Sequence, residues 1–155
     1  HGMAQRGGAV QAHLRLSDRS IVSDLIGKAS ADMILSMEPI ESLRYLEYLG
    51  ERGILITSAD PVKNIPEYPD LEGICRRIRA LPSFRLVEAA ELARSAGSAR
   101  ATNMVMVGAA STCLPVEEEN LLAAIEELFS RKGEKVVQTN RLAFQKGREA
   151  ANSAV

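Results

Sequence analysis

Two short, nearly continuous apolar runs, Met33-Ile34-Leu35-Ser36-Met37 and Gly53-Ile54-Leu55-Ile56-Thr57, constrain this chain more than anything else in it. Runs of this kind fit strands covered on both faces, as in parallel sheets. The segment between them opens at Pro39, where a fixed φ and a missing N–H do no harm in a helix's first turn. It then places Ile40, Leu43, Leu46 and Leu49 on one face, with Gly50 as its expected stop. Strand, helix and strand inside residues 33–57 make a βαβ unit, so the two strands are expected to be parallel.

The rest of the chain extends this to a three-layer α/β/α fold. Val10 to Leu16 alternates apolar with polar residues, and Ile21-Val22-Ser23 follows the turn-like Ser17-Asp18-Arg19-Ser20. The pair predicts one β-hairpin, hence a mixed, mostly parallel sheet. Three prolines between Asp60 and Pro69 predict an extended loop. The spacing then predicts a helix over Leu71–Leu81, a short strand at Phe84–Val87 and a helix over Ala89–Ala96 that stops at Gly97. Thr102–Leu114 reads as a buried helix packed closely through Gly108. Val116–Lys132 reads as a helix with acids first and bases last, as the helix dipole favours. Glu134–Val137 is expected to be a last strand, with Asn140 capping a terminal helix.

A chain of 155 residues with 46% hydrophobic and 25% charged residues is expected to be one domain spanning residues 1–155. Basic and acidic side chains nearly balance, at a net charge of -1, so no global field draws the chain to nucleic acid or an anionic membrane. Tryptophan is absent, which removes the usual stacking platforms. No apolar run is long enough to span a bilayer and no leader pattern opens the chain, so neither anchoring nor export is expected. Cys75 and Cys113 stand far apart with no C-x-x-C pair, and His1 and His13 alone make no metal site. Sparse cysteines fit a reducing, cytoplasmic setting.

Candidate site residues are few. In the opening run, Gly2, Gly7 and Gly8 surround Gln5 and Arg6. Such glycines let backbone N–H groups approach a ligand or a neighbouring chain, and an arginine there suits a phosphate or carboxylate. The plainer reading is a vector-derived tail, since His1-Gly2 precede Met3. Glu38 ends a strand and precedes Pro39, at the edge where open α/β sheets bind ligands. It is suited to act as a base or, more simply, as a helix cap. Asn103 has the same two readings, ligand contact or cap. Arg76, Arg77 and Arg79 read as a solvated helix face rather than a phosphate site. No P-loop, no G-x-G-x-x-G after a strand and no Ser-His-Asp order is present, so the residues themselves support no catalytic role.

The run His1-Gly2-Met3-Ala4-Gln5-Arg6-Gly7-Gly8 resembles the H-G-M-[AS]-Q-R-G-G loop of the gamma-type subunit of 2-oxoacid:ferredoxin oxidoreductases. Further matches are Gly27-Lys28-Ala29, Ala31-Asp32, Glu38-Pro39, Leu43-Arg44-Tyr45, Tyr68-Pro69, Asn103, Gly108-Ala109, Leu114-Pro115, Asn140 and Ala143-Phe144 with Gly147. They cover nearly the whole chain, and Glu38 to Tyr45 is most similar to the indolepyruvate beta subunits. This resemblance implies a non-catalytic, cytoplasmic subunit, inactive alone. Its complex would turn a 2-oxoacid, coenzyme A and oxidised ferredoxin into an acyl-CoA, carbon dioxide and reduced ferredoxin. Thiamine diphosphate, magnesium and iron–sulfur clusters would sit in a partner subunit, with Gly2, Gln5, Arg6, Gly7, Gly8, Glu38 and Asn103 at the interface or beside a ligand. The resemblance also makes His1-Gly2 native. Family members begin with a βα unit carrying G-x-G-G-Q-G, which does not precede His1. A missing strand is expected to make the isolated chain self-associate. The rival reading is a stand-alone α/β binding or assembly module derived from this family.

Overall fold

The computed structural model describes residues 10–63 and 67–153. Three strands, β1 (Ala31–Ser36), β2 (Leu49–Ser58) and β3 (Phe84–Val87), form a sheet in the order β1-β2-β3. Both pairings are parallel. Met33 faces Ile54 and Ser36 faces Thr57 in one, while Leu55 faces Phe84 and Ser58 faces Val87 in the other. The ends of all three strands therefore lie at one edge, which is where the candidate site is built.

Helix α1 (Pro39–Arg44) connects β1 to β2 with Pro39 in its first turn. It is shorter than its apolar spacing suggested. A 3-10 turn at Leu46–Tyr48 replaces its second half, and β2 already begins at Leu49 and runs through Gly50 and Gly53. A β-carbon on Gly53 would sit 2.7 Å from the Ala31 carbonyl oxygen, so glycine there allows β2 to approach β1 closely. Gly50 thus belongs to a strand and does not end the helix.

Helix α2 (Leu71–Arg79) is capped by Asp70, whose carboxylate accepts from the backbone N–H of Glu72 and Gly73. Its buried Ile74 and Ile78 pack with Leu55 on one face of the sheet, beside Ile40 and Leu43 of α1. Arg76, Arg77 and Arg79 are exposed, as a solvated face requires. Four helices cover the other face: α3 (Ala89–Ser95), α4 (Thr102–Ser111), α5 (Glu118–Phe129) and α6 (Glu134–Ser153). There Ile56 and Val87 join Val105, Met106, Ala109 and Phe144 in the larger core. With Leu55 and Ile56 pointing to opposite faces, the sheet is covered on both sides, as its apolar runs demand.

Three further expectations fail. Residues 10–30 form no β-hairpin: they carry no strand, and the sheet among the described residues is parallel rather than mixed. The chain does turn back, with the Arg15 guanidinium donating to the Ser23 carbonyl at 2.5 Å and the Ile26 N–H to His13 Nδ1 at 3.0 Å. No covering element buries its apolar residues: Leu14, Leu16 and Val22 are all exposed, Val22 at 95%. A two-stranded ribbon without such cover is marginal in water. Glu134–Val137 is likewise no strand but the first turn of α6, and Asn140 is no cap. It is buried inside that helix, its Nδ2 donating to the Val136 carbonyl at 2.8 Å. Among the described residues no helix is long and apolar enough to cross a membrane.

Candidate functional site

At the carboxyl end of β1 the chain must turn sharply into α1. Ser36 and Glu38 make that turn. The Ser36 hydroxyl donates to the Glu38 carbonyl at 2.7 Å and accepts from the Glu38 N–H at 3.3 Å. Glu38 is extended (φ -152, ψ 131), and its Oε2 accepts from the Glu41 N–H at 2.8 Å. This is a helix N-cap, so the capping reading of Glu38 holds.

The same carboxylate does a second job. Its Oε1 accepts a hydrogen bond from the Tyr68 hydroxyl, thirty residues along the chain, tying the loop after β2 to the start of α1. Glu38 is buried, with 8% of its surface exposed. Burial, followed by the hydrogen bond to and charge of Glu38, raises the Tyr68 phenol above its ordinary value of 10.0. The pair is therefore a neutral donor on a carboxylate acceptor.

A parallel arrangement closes the end of β2. Asp60 Oδ2 accepts from the Ser58 hydroxyl at 2.8 Å and from the Ala90 N–H at 2.8 Å, while the Asp60 N–H donates to Ser58 Oγ at 3.0 Å. Helix α3 has no side-chain cap of its own at Glu88, so Asp60 supplies an acceptor from across the sheet edge. Its sequence signal is faint: a Ser and an Asp just past an apolar run.

Beside β1 lies a groove of about 490 Å³, lined by Ile26, Met33, Glu38, Glu41, Tyr45 and Tyr48 among others. One rim is residues 10–13 and the other is β1, the edge strand of the sheet among the described residues, where Leu35 is 43% exposed and Met37, just beyond the strand, 45%. Sequence reading missed Glu41, Tyr45 and Tyr48, which only the folded connection from β1 to β2 gathers, and Asp60, whose partner at the start of α3 lies thirty residues along the chain. Of the candidates it named, Gly2, Gln5, Arg6, Gly7 and Gly8 lie outside the described residues. Asn103 is exposed in the first turn of α4, whose N-cap is Ala101 without a side-chain bond, so Asn103 does not cap. It also lies across the sheet from α1, and the structure does not bring it to Glu38.

The chemistry available at this edge is binding and positioning. Both carboxylates spend oxygens on backbone N–H groups. Among the described residues no group of three or more His, Cys, Asp or Glu side chains gathers to hold a metal ion, and Cys75 is buried while Cys113 is exposed.

The family model for pyruvate ferredoxin/flavodoxin oxidoreductase matches residues 1–150. The chain belongs to that family. Its curated relatives within the family include the indolepyruvate oxidoreductase subunit IorB of Archaeoglobus fulgidus, 34% identical over 162 residues, covering 99% of this chain and 78% of the relative. The IorB subunit of Pyrococcus horikoshii is also 34% identical, over 97% of this chain and 78% of its own. Among solved structures, the 2-oxoglutarate:ferredoxin oxidoreductase of Magnetococcus marinus, determined with 2-oxoglutarate, coenzyme A and succinyl-CoA bound, superposes with a TM-score of 0.66 over 90% of this chain at 18% identity. That likeness is one of fold. The chain spans 22% of the neighbour's length, so in that larger protein the family's fold is one part among several.

Proposed function

We propose that this chain is the non-catalytic subunit of a 2-oxoacid:ferredoxin oxidoreductase of the indolepyruvate type. The 34% identity with two IorB subunits over nearly all of this chain carries this reading. A site edge built for positioning, with its carboxylates committed to caps, supports a supporting role over a catalytic one. The complex converts an aryl 2-oxoacid, coenzyme A and oxidised ferredoxin into an acyl-CoA, carbon dioxide and reduced ferredoxin. Thiamine diphosphate, magnesium and iron–sulfur clusters are expected in the catalytic partner, as membership of the ferredoxin oxidoreductase family suggests. Ferredoxin is reached only through the complex, which works in the cytoplasm beside its soluble electron acceptor. Glu38 is proposed to contact the partner or its coenzyme A, as are Gly2, Gln5, Arg6, Gly7 and Gly8 of the opening run, whereas Asn103, on the other side of the sheet from Glu38, would make a separate contact.

A second reading concerns the chain by itself. An apolar strand edge with neither charge nor proline along Met33, Ile34 and Leu35 is prone to pair with another chain, and the exposed Leu14, Leu16 and Val22 add apolar surface beside it. Isolated copies then associate, and the catalytic subunit relieves the need.

Co-expression with the presumed catalytic subunit tests both readings. The expected result is co-purification, indolepyruvate-dependent ferredoxin reduction by the pair and none by this chain alone. Light scattering of the isolated chain is expected to give a species larger than one copy. Failure to co-purify, or equal activity of the partner without this chain, overturns the first reading.

A further inference from the structure

Residues 10–26 contain no helix or strand. Two side-chain bonds among the described residues tie their outgoing half to their returning half. The Arg15 guanidinium donates to the Ser23 carbonyl, and His13 Nδ1 accepts the Ile26 N–H at 3.0 Å. The second bond is chemically conditional. A neutral imidazole has one nitrogen that accepts and one that donates, whereas an imidazolium has two donors and no acceptor. With Nδ1 accepting, the ring proton sits on Nε2, 3.4 Å from the Gln11 side-chain amide, which presents its oxygen there after a half-turn.

The same ring stands edge-on to Tyr48, with 6.1 Å between centroids and 83° between planes. Tyr48 ends the 3-10 turn before β2, and its carbonyl accepts the Ser30 N–H at 3.0 Å just ahead of β1. His13 therefore joins three pieces that all line the groove beside β1: residues 10–13, the returning segment at Ile26 and the connection into β2. We infer that His13 is a pH-sensitive pin, whose neutral ring holds residues 10–13 against Ile26 and Tyr48 as one wall of the groove and whose protonation releases that wall. Protonated Nδ1 puts an N–H where the Ile26 N–H points, so two donors face each other. The charged groups of the neighbouring elements have partners of their own. Lys28 pairs with Glu47 at 2.7 Å and Glu41 with Arg44 at 3.3 Å, while Glu38 is held by the Glu41 N–H and the Tyr68 hydroxyl. Asp24 on the segment and Asp32 on β1 are exposed, and Tyr45 lies 6.3 Å beyond Tyr48. Between about pH 8 and pH 5 the imidazole is the side chain type that changes charge.

Solvent exchange of the backbone amides of the full chain, resolved by NMR and corrected for the intrinsic rate at each pH, tests this at about pH 7.5 and pH 5. Protection of the Ile26 amide is expected to fall about tenfold on acidification, the equivalent of one hydrogen bond of ~1.4 kcal/mol, while that of Leu55 in β2 does not change. His13→Asn offers a side-chain acceptor that does not titrate, and is expected to keep Ile26 protected at both pH values. His13→Phe keeps a ring beside Tyr48 without an acceptor, and is expected to leave Ile26 poorly protected at both. Neither variant alters His1, so a pH effect carried by that residue would survive in His13→Asn. Equal protection of Ile26 at the two pH values in the unaltered chain, a fall that persists in His13→Asn, or a parallel fall at Leu55 overturns the proposal. If a variant does not fold, the comparison of Ile26 with Leu55 in the unaltered chain decides, read beside the His13 ring resonances.

Discussion

A β-carbon placed on Gly108 of α4 would sit 2.0 Å from the carbonyl oxygen of Phe144 on α6. The contact is reciprocal, since a β-carbon on Gly147 of α6 would meet the Val105 carbonyl oxygen of α4 at 1.9 Å. Two glycines thus set how closely the two helices cross, beneath a core that includes Val105, Ala109 and Phe144. Neither site leaves room for a methyl group, because the obstructing atoms are backbone. Gly108→Ala and Gly147→Ala are each expected to cost about 1–3 kcal/mol or more, the range of overpacked cores. Urea denaturation monitored by circular dichroism checks this. Pairing both substitutions is expected to cost less than the sum of the two, since one shift of α6 relieves both clashes.

Gly108 was legible as a close-packing residue from its place in an apolar, small-residue helix, and Pro39 and Gly97 marked a real helix start and stop. Gly97 has φ 107, a conformation in which glycine is favoured. What the sequence hid was long-range. Val136 and Val137 have strand propensity, but Val137, Asn140, Phe144, Gly147 and Ala151 recur at helical spacing and are buried, so packing overrides local preference and extends α6 to twenty residues. The alternation in residues 10–16 is genuine, yet alternation makes a strand only where one face is covered. Glu38 was readable as a cap because its partner, the Glu41 N–H, is local. Tyr68 was invisible as its second partner because thirty residues and a loop separate them.

That second bond makes a pH prediction. The Tyr68 phenol is raised above its ordinary 10.0, first by burial and then by Glu38. Folding therefore favours the protonated phenol. The stabilisation is fully present below about pH 10, the unfolded value, and is lost as pH rises through the higher folded value. Tyr68→Phe is expected to cost about 1 kcal/mol at neutral pH and to lose stability less steeply than the unaltered chain above pH ~10. Denaturation midpoints measured across alkaline pH, with tyrosinate absorbance recorded alongside, test the sign. Parallel slopes for the two proteins would count against it.

Asp60 predicts a graded pair of effects. Its Oδ2 serves the Ala90 N–H at the start of α3, a helix with no cap from Glu88. Asp60→Ala removes that acceptor and is expected to cost about 1–2 kcal/mol, whereas Asp60→Asn keeps an acceptor and costs clearly less. Amide exchange at Ala90 is expected to accelerate in Asp60→Ala before exchange in β2 does. Uniform acceleration across the sheet would instead mean that Asp60 acts through global stability alone.

Arg148 of α6 separates burial from charge. Its Nη1 donates to Ser111 Oγ at 2.7 Å, and the Ser111 hydroxyl donates in turn to the Gly108 carbonyl at 2.6 Å. Its Nη2 pairs with Glu118 at 3.2 Å, and the guanidinium stands 5.8 Å from the Phe144 ring centroid. Ser111 is only 3% exposed, while the Glu118 side chain is 42% exposed, so the two halves of the contact differ in kind. The bond to Ser111 is shielded from water; the pair with Glu118 is screened and worth at most about 0.5 kcal/mol. Glu118→Gln is therefore expected to change stability little and to lose even that effect in high salt. Arg148→Met keeps the apolar stem over Phe144 but strips a donor from a buried hydroxyl, and is expected to cost about 1–2 kcal/mol, of which only the Glu118 share, at most about 0.5 kcal/mol, fades in salt. Arg148→Met in a Ser111→Ala background should then cost distinctly less, because no buried acceptor is left waiting for the lost donor. A double-mutant cycle by urea denaturation at low and high salt measures all three, and a cost for Arg148→Met that vanishes in salt would assign the stabilisation to Glu118 instead.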